Sequence, residues 1–174
     1  MAGNSLLKNE NTWKLEDAKE AGNDLNPVGG GRIVGLGRPS RSSLLWAAYL
    51  NRVELIDSLL QQPNVDVNAK DKRGNTALHH ACCLPTGNAI MPKLLAAPGI
   101  LLNEENRKGM TPIIMAAAWH RIEAVQMLAA ADEVDLDVRD GQTGASMEDI
   151  AWNDPKMLQV LKEARQRREA RQRR

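Results

Sequence analysis

Four side chains able to bind a metal fall within five residues in His79-His80-Ala81-Cys82-Cys83, and imidazole with thiolate is a donor set that suits zinc. On a helix His79 and Cys83 share one face at i and i+4. That supplies two ligands where a zinc site takes three or four, and the remaining histidine, His120, is far along the chain. The two cysteines, being adjacent, argue against a disulfide framework and for free thiols. A second stretch, Gly29-Gly30-Gly31-Arg32-Ile33-Val34-Gly35-Leu36-Gly37, invites a nucleotide-binding reading. It lacks the Gly-Lys-Ser/Thr ending of a phosphate loop and has the wrong spacing for a dinucleotide fingerprint, so it reads as a flexible linker. No nucleophile elbow and no framed pair of carboxylates occurs. The residues point away from an enzyme, and no cofactor is expected.

A third stretch with chemical potential runs from Lys162 to Arg174. It carries seven Lys or Arg against two Glu, a charge of +5 against +1 for the whole chain, so the body before it is net negative by four. Arginine forks bind two phosphate oxygens at once, but no aromatic residue is interleaved to stack on bases. Nucleic-acid contact through this segment would be weak and insensitive to sequence. A solvated helix end and a nuclear-localisation signal are the other readings.

The elements that must position these residues recur. Asp71 to Cys82, DKRGNTALHHAC, returns 35 residues later as NRKGMTPIIMAA from Asn106 to Ala117. An earlier unit opens a helix at Ser42-Ser43-Leu44-Leu45-Trp46-Ala47-Ala48, takes a second from Val53 to Leu60 and leads through Val65-Asp66-Val67-Asn68-Ala69 into Asp71. The third unit repeats this spacing: Ala117 stands where Ala48 stood, Leu128 matches Leu59, Asp135 matches Asp66 and Asp140 matches Asp71. The second unit has one extra residue, in the turn Leu84-Pro85-Thr86-Gly87, and turns tolerate such changes. Pro92 then falls inside its second helix, where a proline past the first turn removes a hydrogen bond. That helix is predicted to start late or kink, with the lengthened turn projecting. A fourth, shorter unit begins at Asp140, and Asp154-Pro155 is a helix start, an N-cap followed by proline.

A period near 33, an Asp or Asn, a Gly three residues on and then a Thr-Pro-Leu-His variant make the sequence resemble the ankyrin-repeat family. The resemblance implies an all-α ankyrin-repeat solenoid of about four stacked helix-turn-helix units with β-turn tips, each unit depending on its neighbours to bury its apolar face. The boundaries read as a degenerate N-terminal cap helix and Gly-rich loop over 1–36, with Trp13, Leu15 and Ala18 covering Leu44, Leu45 and Trp46. The repeats follow at 37–70, 71–105, 106–139 and 140–164, and a basic C-terminal tail at 165–174. Residues before about Asn11 are expected to be disordered. In the family frame His79 takes the slot of a structural histidine and Cys82 that of a small core alanine. Stacking could still bring His120, in an inter-helix turn, near the cluster.

The resemblance also implies a recognition surface made of the β-turn tips and the exposed end of each first helix. The tips carry Lys70, Lys72, Arg73 and Asn75, then Glu105, Arg107, Lys108 and Met110, with Arg139 and Gln142 continuing the row. That row is basic. The helix positions are Tyr49 and Leu50, Cys83 and Leu84, Ala118 and Trp119, and exposed Trp, Tyr and Leu side by side are typical of binding hot spots. The expected partner is another protein with an apolar anchor flanked by acidic residues, and the expected role that of an adaptor or stoichiometric inhibitor. A nucleic-acid-associated regulator using the tail is the alternative. Asn68, with Leu60 eight residues before it and Asp66 two before it, is similar to the ankyrin loop pattern recognised by an asparaginyl hydroxylase. Its other reading is an amide that closes the loop.

Composition agrees. The chain has 174 residues, 43% apolar and 26% charged, with only 3% aromatic and no Phe, which fits closely stacked helices cored by Ala and Leu. No apolar run approaches the roughly 18 residues that span a bilayer, and MAGNSLLKNENTW has no secretory apolar stretch. The expected location is cytoplasmic, nuclear or both, without membrane contact.

Overall fold

Thr76 begins a helix because its side chain and that of His79 cap the chain reciprocally. The Thr76 amide donates to His79 Nδ1 (3.1 Å), the His79 amide reaches back to Thr76 Oγ1 (3.5 Å), and His79 Nε2 lies 3.0 Å from the Met110 carbonyl of the next unit. A backbone N–H can only donate, so Nδ1 accepts and Nε2–H is the donor to Met110. One imidazole thus starts a helix and fastens two units. The computed structural model containing this network describes residues 43–85 and 89–173.

Among the described residues there are eight helices: α1 Ser43–Tyr49, α2 Val53–Leu60, α3 Ala77–Cys83, α4 Met91–Leu95, α5 Pro112–Ala118, α6 Ile122–Ala129, α7 Met147–Ile150 and α8 Pro155–Gln172. They pair as α1–α2, α3–α4 and α5–α6, and α8 packs on α6. The first helices stack α1 on α3 on α5 on α7, which buries Leu44, Ala47, Ala48, Leu78, Ala81, Cys82, Ile113, Ile114, Ala116 and Ala117 in one continuous core with Ile56, Leu94, Leu128, Met147 and Leu161. Alanine recurs where helices approach most closely. The expected fold, an all-helical repeat stack, is the observed one, and the expected N-terminal cap and glycine loop lie outside the described residues.

The register between the first and third units extends to backbone detail. Asn51 and His120 both adopt left-handed φ, 52° and 53°, and the amides of Arg52 and Arg121 both donate at 2.8 Å, to the carbonyls of Ala47 and Ala116. In the second unit α4 begins only at Met91, so Pro92 sits in its first turn and the Ala96 amide still reaches the Pro92 carbonyl (3.1 Å). The helix starts late, as the proline requires, and has five residues where α2 and α6 have eight. The predicted projection of the turn at Thr86 and Gly87 falls outside the described residues.

The third unit has Ile114 in the histidine slot, and there Thr111 Oγ1 is buried with no hydrogen-bond partner among the described residues. A buried, unsatisfied hydroxyl is unfavourable. Thr111→Val is therefore expected to leave stability unchanged or raise it by up to about 1 kcal/mol, whereas Thr76→Val, which breaks the reciprocal cap, should lower it by about 1–2 kcal/mol. Urea unfolding of the two variants checks the contrast.

Candidate functional site: the tip row and the helix ends

The three tips are built alike. A carboxylate or amide oxygen at the opening residue accepts two backbone N–H groups: Asp71 Oδ1 from Arg73 (2.7 Å) and Asn75 (2.8 Å), Asn106 Oδ1 from Lys108 (2.9 Å) and Met110 (3.1 Å), and Asp140 Oδ1 from Gln142 (2.7 Å) and Thr143 (3.0 Å). Burial pushes the Asp71 carboxyl up, but the His80 ring at 2.9 Å and the amides of Asn75 and Arg73 outweigh it and hold the group below its ordinary range. Neighbouring tips join through backbone, Arg107 N–H to the Arg73 carbonyl (2.9 Å) and Gly141 N–H to the Gly109 carbonyl (3.2 Å). The basic side chains therefore stand on a rigid, continuous edge.

Of the expected tip residues, Lys72, Arg107, Lys108 and Arg139 are exposed and Arg73 is half-buried. Lys70 is exposed too, but its ammonium pairs with Glu104 and donates to the Glu105 carbonyl (3.1 Å), so it bridges two units. Arg139 folds back to donate to the Gly144 carbonyl (2.9 Å). Two expectations are corrected. Asn75 and Met110 are only 7% and 6% exposed. Asn75 donates to Asp71 Oδ2 (3.2 Å) and accepts from the Asn106 amide (2.9 Å), and Met110 enters the core while its carbonyl meets His79. The residue after the tip glycine turns inward under the stack, so neither side chain is offered to a partner.

The helix ends hold the apolar positions. Tyr49 is half-buried and meets Trp46 and His80 edge-on, each at 5.8 Å between ring centres. Leu50 is 43% exposed, and Cys83, Leu84, Ala118 and Trp119 are half-buried. Since α1, α3 and α5 stack side by side, Leu50, Leu84 and Trp119 occupy equivalent ends of consecutive helices, one helix length or about 10 Å from the tips. Trp152, two residues past the end of α7, is 75% exposed and was missed by sequence reading, but counted from the N-cap Ser146 it stands two residues short of the register that Leu84 and Trp119 share.

The histidine-cysteine cluster does not converge on a ligand. Both nitrogens of His79 are engaged in the fold, and His80 pairs with Asp71. Burial pushes the Cys83 thiol up to about 12 and that of Cys82 well above its ordinary value, and the thiol is the inert form. His120 faces Asp154 at 3.6 Å instead. Among the described residues no group of three His, Cys, Asp or Glu side chains is placed to hold a metal ion.

Asn68 closes a ladder between loops. Its amide donates to the Gly99 carbonyl (2.7 Å) and accepts the Leu101 N–H (2.8 Å). Asn103 does the same one unit on, to the Glu133 carbonyl (2.7 Å) and from the Asp135 N–H (2.8 Å). The third member is Asp137, and it meets Arg165 at 3.1 Å.

The family described as Ankyrin repeats (3 copies) matches residues 44–140, more than half of the sequence. The chain belongs to the ankyrin-repeat family. It is 32% identical over 85 residues to an ankyrin repeat protein of Rickettsia bellii, a match covering 49% of this chain and 46% of that protein. It is 30% identical over 132 residues to the transient receptor potential channel pyrexia of Drosophila melanogaster, covering 70% of this chain and 14% of the channel. An ankyrin repeat protein of fowlpox virus is 31% identical over 90 residues, 51% of this chain and 12% of that one. The chain thus spans under half the length of each of these relatives. Ankyrin repeats are in general protein-protein interaction modules, and no helix among the described residues is long and apolar enough to cross a membrane.

Proposed function

We propose that this ankyrin array is a non-catalytic binding module, an adaptor or stoichiometric inhibitor, which holds a partner protein along the row Leu50, Leu84 and Trp119 beneath the basic tips. The observation that carries this reading is the recurrence of a large, solvent-reaching apolar side chain at the equivalent ends of α1, α3 and α5, in a chain whose aromatic content is only 3%. Scattered surface apolars need no explanation, but a contiguous row does. The cations Lys72, Arg73, Arg107 and Lys108 on the tips favour a segment whose apolar anchor is flanked by acidic residues. Fold alone does not name a partner, and this assignment rests on the chemistry of the row.

Affinity capture with the full chain as bait, followed by titration of the captured protein, tests it. Trp119→Ala is expected to weaken binding by about 2 kcal/mol or more with an unchanged thermal melt. Charge reversal at Lys72, Arg73, Arg107 and Lys108 should mainly slow association, and less so at high salt, because rim charges steer encounter. A Trp119→Ala variant that binds as tightly as the native chain sinks the assignment. Asn68 remains an expected hydroxylation target, read as a one-oxygen gain on its peptide after incubation with an asparaginyl hydroxylase. The enzyme would have to lift the amide from its two bonds to the next loop.

A further inference from the structure

Helix α8 continues without a break through Ala164 to Gln172, which moves the end of the array beyond the expected boundary and makes the basic segment its last two turns. Arg165, Arg168 and Arg171, spaced i, i+3, i+6, lie on one face and all reach the loop that follows α6. Arg165 pairs with Glu148 and Asp137 and donates to the Leu136 carbonyl (3.2 Å). Arg168 donates to the carbonyls of Val134 (2.6 Å) and Ala131 (2.9 Å), and Arg171 pairs with Asp132. The Ala131 carbonyl lies just past the C-terminus of α6, where a cation is favoured by the helix dipole.

In the first two units the corresponding loop is held by the next unit's loop, through Asn68 and Asn103. The third unit's loop, 131–137, receives three guanidinium groups in that place. We propose that the arginine face of α8 substitutes for the missing loop of a further repeat, and that this contact withholds the same arginines from polyanions while the array is folded. The most basic segment of the chain is then self-occluded in part, because Arg165 and Arg168 commit both terminal nitrogens to Glu148 and the loop, and Arg171 commits one. Among the described residues no hydrogen bond or ion pair joins the Lys162 or Arg173 side chain to that loop, and Arg167 pairs with Glu163 on its own helix (3.3 Å).

Two measurements on the full chain test this. In hydrogen exchange, Arg165→Gln/Arg168→Gln/Arg171→Gln should speed the amides of residues 131–137 by about tenfold or more, as loss of a local closing contact does. The charge-matched Lys162→Gln/Arg167→Gln/Arg173→Gln should leave them within about twofold. Equal effects from both sets, or none from the first, overturn the capping role. In heparin binding, Asp132→Asn/Glu148→Gln, which removes internal partners and leaves every arginine in place, should tighten affinity several-fold more than Glu54→Gln/Glu123→Gln, which removes the same charge elsewhere. An equal gain from both pairs is bulk electrostatics and overturns the occlusion.

Discussion

Between pH 7 and pH 4 the array is expected to lose about 3 kcal/mol of stability through His79 alone. Burial holds this imidazole down to about 4 from an ordinary value of 6.5, although the Met110 carbonyl pulls the other way. The ring must be neutral in the fold, since Nδ1 accepts from the Thr76 amide and a protonated ring has no lone pair there. The folded value lies below the unfolded one, so between them the unfolded chain binds more protons. Stability is complete above about 6.5 and falls as pH drops toward about 4. The lowered Asp71 carboxyl acts in the same direction but in a lower window, beneath its ordinary value of 3.8. Urea unfolding across this range reads the slope. His79→Gln, whose amide can accept from Thr76 and donate to Met110 without titrating, should flatten it. A slope unchanged in that variant removes His79 as the cause.

Gly74→Ala is expected to destabilise the array by about 3 kcal/mol, from two separable terms. Gly74 has φ +80°, where an added Cβ costs about 1–2 kcal/mol. That Cβ would also stand 2.8 Å from the Arg107 nitrogen and 3.2 Å from the Asn106 backbone, atoms fixed by the bond from Arg107 N–H to the Arg73 carbonyl. Overpacking against backbone adds a further 1–3 kcal/mol or so. Gly144→Ala supplies the control, because Gly144 has φ +69° with nothing within 4 Å of the added carbon and should show the conformational term alone. If the two substitutions unfold at the same urea concentration, the tip-to-tip contact is not as tight as the geometry requires.

Both predictions bear on what could be read before the coordinates. The fold was legible because the units repeat the residues that build them: Asp71, Asn106 and Asp140 at the tips, Thr76, Thr111 and Ser146 at the helix starts, alanine at the helix contacts. Such local patterns act within a few residues, so sequence displays them directly. Asn75 and Met110 were misplaced because each follows a tip glycine and reads as exposed in its own unit, whereas in the stack Asn75 meets Asn106 of the next unit and Met110 enters the core. Burial made by a neighbour leaves no local mark. The exposed Leu50 and the tip cations were legible as surface, and Trp152 was missed because it falls outside the register of Leu84 and Trp119. The docking of α8 was half visible: the i, i+3, i+6 spacing of Arg165, Arg168 and Arg171 sets them on one face, but that the face meets residues 131–137 is a tertiary fact.

The loop ladder also sets how long the stack can grow. An amide side chain both donates and accepts, so Asn68 and Asn103 can each grip the carbonyl and the N–H of a following loop. Asp137 stands in the third rung, and an ionised carboxylate has no proton to donate; it takes a guanidinium instead. A following loop of the kind that Asn68 and Asn103 grip would find here a rung that repels a carbonyl and a site already filled by Arg165 and Arg168. One atom's difference, oxygen for NH2, thereby acts as a stop sign in the chain, and lengthening the array would require restoring the amide at 137 as well as releasing α8.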